Sequence, residues 1–272
     1  MSDTDIDDAE IAEWDPGLTK AVIGMVRPIV KRYFRSEVHG LDLLPPGGAL
    51  VVSNHSGGMM QVDVLVFAVD FYDKFGYDRP LYTLAHDVLF HGPAAELLRR
   101  LGAIHATPEH AAKALHAGGV VLDFPGGYYD VYRPTLTENV IDFGGHTGYA
   151  RVAIDTRVPI VPAVSIGGQE NQLYLSRGAW LLRALRMRKL SYKLTRSRIL
   201  PITFGFPFGL SIVLPVNMPL PTKIIAQVLP PIDLAVQFGE NPDAAAVDAY
   251  VRPMMQRGLD ELAAARRFPI LG

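Results

Sequence analysis

Residues 49–63 read ALVVSNHSGGMMQVD. The first five suit a short buried strand, Asn54 and His55 follow at once, and after two glycines Asp63 opens the next apolar run. A His just past a strand, with an Asp at the helix beyond, suits a general base and its orienting carboxylate. Gly57 and Gly58 would let a substrate approach the backbone, with Asn54 beside them. Outward from this stretch, strand and helix alternate. Helix is expected at 62–71 and 93–101, and again at 111–116 behind the start signal Thr107-Pro108-Glu109. Strands are expected at 80–84, 120–124, 159–164 and 224–229, with a Gly-rich loop to about His146 and a helix around 149–154. The Ala-rich tail, 242–267, predicts a helix interrupted at Pro253. The pattern predicts a single α/β domain with a largely parallel central sheet covered by helices. Such sheets carry their sites at the carboxyl ends of strands, which here means 54–63 and 125–133. The second place, Phe124-Pro125-Gly126-Gly127-Tyr128-Tyr129-Asp130-Val131-Tyr132-Arg133, offers backbone N–H groups and an Arg, the parts of an anion or oxyanion site.

The chain has 272 residues, 49% of them hydrophobic and none of them Cys. That composition excludes a disordered chain, a thiolate nucleophile and a Cys-ligated metal, and the His residues lack the spacing of a metal hydrolase, so no metal is expected. The first thirteen residues hold six acids and no base, unlike a secretory leader, so they read as an acidic disordered tail on a cytoplasmic protein. A net charge of -2 conceals a polarity: residues 171–232 carry nine basic side chains and no acid. Within them, 199–222 is uncharged and apolar but holds Pro201, Pro207, Pro215, Pro219 and Pro221, which rules out a spanning helix. The stretch reads as an irregular loop dipping Phe204, Phe206, Phe208 and Leu210 into a bilayer while Arg183, Arg186, Arg188 and Lys189 meet anionic headgroups. A Pro-rich connection packed in the core is the alternative. Residues 14–40 read as an amphipathic helix with Leu18, Val22, Met25, Val26, Ile29 and Tyr33 on one face, Lys20, Arg27, Lys31 and Arg35 on another, and a kink near Arg27 from Pro28. An anionic membrane surface is thus the expected partner, on the inner face of the membrane; no nucleic-acid partner is expected.

Four ordered motifs resemble the glycerolipid acyltransferase superfamily, which includes lysophosphatidate acyltransferases. They are Asn54-His55 with Asp63, Gly102-Ala103-Ile104-His105-Ala106, Phe124-Pro125 with Gly127, and Val158-Pro159-Ile160-Val161-Pro162. The resemblance implies an acyltransferase domain over 41–272 in which His55 deprotonates a glycerolipid or lysophospholipid hydroxyl and Asp63 fixes its tautomer. The alkoxide then attacks an acyl thioester, acyl-CoA or acyl-ACP serving as co-substrate without other cofactors, and no acyl-enzyme forms. This sequence departs from the family in three places. Seven residues separate His55 from Asp63 where the family has four, as in an Asn-His-Ser-Gly-Gly branch. The acid of the family's Phe-Pro-Glu-Gly is Gly126, and the base that ends the second motif falls at about Pro108. Gly126-Gly127 resembles diacylglycerol-acyltransferase-like relatives, and without those two charges a mono- or diacylglycerol acceptor stands beside a phosphorylated one, for which Arg133 or Arg151 would have to serve. Two rivals stand beside this reading. One is a catalytically silent lipid-binding protein of the same fold. The other is a serine esterase with Ser165 as nucleophile, against which the chain order of His and Ser argues.

Overall fold

The computed structural model describes residues 13–56, 58–137, 139–186, 189, 192, 199–266 and 268. Strands β1 (Glu37–His39), β2 (Ala49–Ser53), β3 (Leu81–Ala85), β4 (Ala103–His105), β5 (Val120–Asp123), β6 (Ile160–Ile166) and, after the small sheet, β10 (Ile225–Val228) form one seven-stranded sheet in the order β1-β10-β6-β2-β5-β3-β4. Five neighbours run parallel; β10 is antiparallel to β6, and β1 runs with β10. The expected α/β class with a mostly parallel, helix-covered sheet is therefore correct.

Both faces are apolar because both are covered, as a buried parallel sheet requires. Leu50, Val52, Val121 and Val164 meet the helices Pro108–His116, Gly148–Thr156 and Ala244–Ala265 on one side. Ala49, Val51, Val120, Leu122 and Val161 meet the helices Pro16–Pro28 and Val62–Phe75 on the other. The start signal at Thr107 holds: its side chain accepts the His110 N–H, and Pro108 occupies the first turn.

Three expectations need correcting. Helix Ala244–Ala265 runs through Pro253 unbroken, because Val247 and Val251 before it and Met255 and Leu259 after it are all buried. Each contributes about 1.5–3 kcal/mol, which together offsets the roughly 3 kcal/mol lost at a mid-helix Pro. Residues 14–40 are not one helix. The α-helix ends at Pro28 in a wider turn over Ile29–Tyr33, and β1 then joins the main sheet. The packed stripe is also not the expected one. Ile23, Val30 and Phe34 are buried, whereas Met25 is 75% exposed and Ile29 and Tyr33 are exposed too. Of the cations on this segment, Arg27 pairs with Asp73 and Lys31 with Asp70, so neither stands free toward solvent.

The third correction concerns 199–222, of which 202–205 and 209–212 are strands and not irregular loop. Strands β7 (Leu173–Ser176), β8 (Ile202–Gly205) and β9 (Gly209–Ile212) form a small antiparallel sheet. Its inward positions are Tyr174, Thr203 and Ser211, and its outward ones Leu173, Leu175, Phe204, Leu210 and Ile212. Asn217 ties the β8–β9 turn together, its Oδ1 accepting the Phe208 N–H at 3.0 Å and its Nδ2 donating to the Gly209 carbonyl at 2.9 Å.

Candidate active site

Strand β2 delivers Asn54, His55 and Ser56 to the carboxyl edge of the main sheet, beside the end of β5. Helix Val62–Phe75 begins there, and its first turn carries Asp63. His55 Nδ1 donates to Asp63 Oδ2 at 2.9 Å, and the Ser56 N–H reaches the same oxygen at 2.9 Å. An oxygen that accepts the Ser56 N–H suits an acceptor role toward His55 too, so Nδ1 is the donor, and in the neutral ring Nε2 then carries the lone pair. The Val64 N–H donates to Asp63 Oδ1, so the carboxylate is held at both oxygens. The His55 ring stacks on Phe124, with centroids 4.0 Å apart and planes within 7°.

The main chain of His55 is held just as firmly. Its N–H donates to Asp130 Oδ2 at 2.7 Å, and its carbonyl accepts from Gln169 Nε2 at 3.3 Å. The other Asp130 oxygen pairs with Arg133. Arg133 is 1% exposed, buried against Asp130, and does not line the cavity at His55. The structure thus places it behind His55, paired with Asp130 and away from this cavity.

Asn54 likewise serves the scaffold: its Nδ2 donates to the Ser165 carbonyl and its Oδ1 accepts the Ser165 N–H, both at 2.9 Å, clamping β2 to β6. Ser165 lies within β6, away from any strand-to-helix elbow, so the esterase nucleophile has no place. At Gly58, φ is +61° and a Cβ would fall 2.3 Å from the Tyr174 hydroxyl, so this glycine makes room for a side chain of the small sheet. Gly57 and Arg188 lie outside the described residues.

His55 opens on a cavity of about 960 Å³ that is also lined by Gly126, Gly127, Leu84, Val88, Leu89, Asp123, Tyr149 and Val152. Gly127, at φ +47°, has open space where a Cβ would be. Among the described residues no Lys or Arg lines this cavity. Burial there pushes the Asp123 carboxyl up to about 7. Among the described residues no cluster of three His, Asp or Glu is arranged to hold a metal.

Residues 35–166, which contain His55, Asp63 and the Gly126-Gly127 turn, match the family model Acyltransferase. An uncharacterised protein of Mycobacterium tuberculosis is 30% identical over 271 residues, covering 93% of this chain and 69% of the relative. The chain belongs to the acyltransferase family. Within it, this member of the glycerolipid acyltransferase superfamily is an O-acyltransferase. The acyltransferase is also 30% identical over 217 residues to a Mus musculus protein named a DGAT1/2-independent enzyme synthesizing storage lipids, covering 79% of this chain and 60% of that one. Its fold matches the 1-acyl-sn-glycerophosphate (LPA) acyltransferase PlsC of Thermotoga maritima with a TM-score of 0.54 over 91% of this chain and 82% of the other, at 18% identity.

The residues that sequence reasoning missed are Asp123, Gln169 and, as anchor of the His55 main chain, Asp130. Asp123 was legible as an acid ending an apolar strand. Nothing local marks Gln169, which reaches His55 from beyond β6.

Proposed function

We propose that this acyltransferase moves a fatty acyl group from a thioester, acyl-CoA or acyl-ACP, to the hydroxyl of a neutral glycerolipid such as a mono- or diacylglycerol. The observation that carries the reading is the His55–Asp63 pair opening on a large, mainly apolar cavity. His55 Nε2 takes the hydroxyl proton, and Asp63 stabilises the imidazolium that forms. The oxygen attacks the thioester carbonyl, the C–S bond breaks, and the departing thiolate takes the proton from His55 Nε2, leaves as thiol and restores the neutral base. No acyl-enzyme is needed.

Neutral acceptors are favoured over lysophospholipids because Arg133 is committed to Asp130 and no cation lines the cavity among the described residues. The name of the mouse relative supports the same direction.

The acyltransferase works as a peripheral protein on the cytoplasmic membrane face in this reading. No helix among the described residues is long and apolar enough to cross a membrane. The outward side of the small sheet, with Phe204, Phe206, Phe208 and Leu210, enters the lipid, while exposed Arg183, Arg186 and Lys189 meet anionic headgroups. Tyr33 Oη donates to the Pro219 carbonyl and Arg35 Nη2 to the Pro221 carbonyl, which ties the end of the N-terminal helical segment to the stretch after β9.

The test is purified protein with acyl-CoA or acyl-ACP and a panel of mono- and diacylglycerols, lysophospholipids and glycerol phosphate, following thiol release and product mass. Thiol release with the neutral lipids that is lost in His55→Ala is expected. Turnover confined to phosphorylated acceptors overturns the acceptor class, and no turnover with any pair overturns the reaction.

A further inference from the structure

Asp123 is the acid the mechanism leaves unused. It is the last residue of β5, paired in register with Val52 of β2, so it stands on the sheet face that carries Leu50, Val52 and Val121. His55 follows Val52 by three residues, so at the rise of a strand the base and Asp123 stand up to roughly 10 Å apart along the sheet. Asp123 lines the same cavity as His55, together with Leu84 and Leu50 of the sheet and Tyr149 and Val152 of the helix opposite.

A lone carboxyl on an apolar wall is a costly group to retain. Among the described residues Asp123 has no ion-pair partner, and the one contact that favours its charged form is the Phe124 N–H. The neighbouring phenol offers no donor, because Tyr149 Oη donates to Asp248 Oδ1 at 3.0 Å. Burial brings the Asp123 carboxyl to about 7, so both of its forms are present near neutral pH. The chemistry that serves both forms is a hydroxyl, which donates to the carboxylate and accepts from the neutral acid. A phosphate or carboxylate would be repelled by the ionised form, and an alkyl chain would leave the carboxyl unsatisfied.

We propose that Asp123 forms a hydroxyl-recognising subsite inside the cavity, selecting substrates that carry a hydroxyl beyond the one that reacts at His55. This rests on the acyl-transfer reading above and deepens it. The hydroxyl has two possible sources: the second free hydroxyl of a monoacylglycerol acceptor, or a hydroxylated acyl chain on the donor.

The experiment compares kcat/KM for monoacylglycerol with that for diacylglycerol using one plain acyl-CoA, and for acyl-CoAs hydroxylated at successive positions with plain ones using one acceptor. The wild-type protein should prefer the hydroxylated member at least tenfold in one arm, and the arm names the source. Asp123→Leu should bring that ratio close to one, and Asp123→Asn, which keeps a donor and an acceptor, should retain most of it. Melting of each variant checks that it is folded, and if Asp123→Leu does not fold, Asp123→Ala takes its place. A wild-type ratio near one in both arms overturns the subsite, as does a ratio unaltered in Asp123→Leu. Calorimetric titration of wild-type protein with hydroxylated and plain fatty acids, and with mono- and diacylglycerol, separates the two readings. A hydroxyl preference in binding without turnover keeps the subsite and discards acyl transfer, whereas turnover without the preference does the reverse.

Discussion

In β2, β5 and β6 most side chains of both faces are Val, Leu, Ile and Ala pressed against helices, and the polar residues Ser53, Asp123 and Ser165 sit at or next to the strand ends. In β7, β8 and β9 the alternation is reversed: Tyr174, Thr203 and Ser211 turn inward, while Leu173, Leu175, Phe204, Leu210 and Ile212 turn out, with Phe206 69% exposed at the turn. The first arrangement is stable because water is excluded from the apolar groups. In the second, hydrogen bonds hold the inner side, as the Asn217 contacts do, and the apolar side is left for another medium. One sheet presents the chemistry at its edge and the other presents a flat surface, so substitutions in the two regions should separate activity from lipid affinity.

The largest expected separation comes from His55→Ala, which should lower turnover by roughly 100- to 10,000-fold, the range for losing a positioned base. Vesicle binding and the melting temperature should stay as in the wild type; a parallel loss of vesicle binding would break the division of labour. Arg133→Ala should cost about 3–5 kcal/mol in denaturant unfolding, since it leaves Asp130 buried without its counter-charge. Its effect on kcat should be the same for phosphorylated and neutral acceptors; a KM rise confined to phosphorylated ones would return it to the binding site. Replacing Phe206 and Phe208 together by Ser should weaken binding to anionic vesicles at least tenfold, because a fully buried Phe is worth about 1.5–3 kcal/mol. Melting should be unchanged, in contrast to a large-to-small change in the main sheet, and co-sedimentation beside thermal melting reads both.

The last effect is a pH dependence. Burial raises Asp123 from 3.8 to about 7 in the fold, so its ionisation costs nothing at low pH, costs more across that interval, and costs its full amount above about 7. Stability from this group therefore falls as pH rises through the window. Asp123→Asn should gain more in melting temperature over wild type at pH 8 than at pH 5; equal gains would mean the carboxyl is not destabilised by its surroundings.

The main sheet and the His55–Asp63 pair were legible in the sequence because a buried strand, a His at its end and an acid at the next helix lie within fifteen residues. The small sheet was not. Its strands are four residues long, two lie among five prolines, and their apolar residues mark the outside, so an assumption of apolar-in reads them as loop or core. Arg133 misled for a related reason: an Arg behind a Gly-Gly turn has the composition of an anion site, and only the fold shows Asp130 taking up its charge. Asp123 was visible as an acid closing a Val-Val-Leu strand, but its position on the cavity wall depends on the helix Gly148–Thr156, far along the chain.

At Gly126, an added Cβ would fall 2.5 Å from Asp130 Cβ. Any side chain there pushes directly on the carboxylate that anchors the His55 main chain and balances Arg133. The acid that the wider family carries at this position is thus not one substitution away for this lineage. A side chain at 126 therefore has to displace Asp130, and any such shift is felt at once at the Arg133 charge and at the His55 main chain.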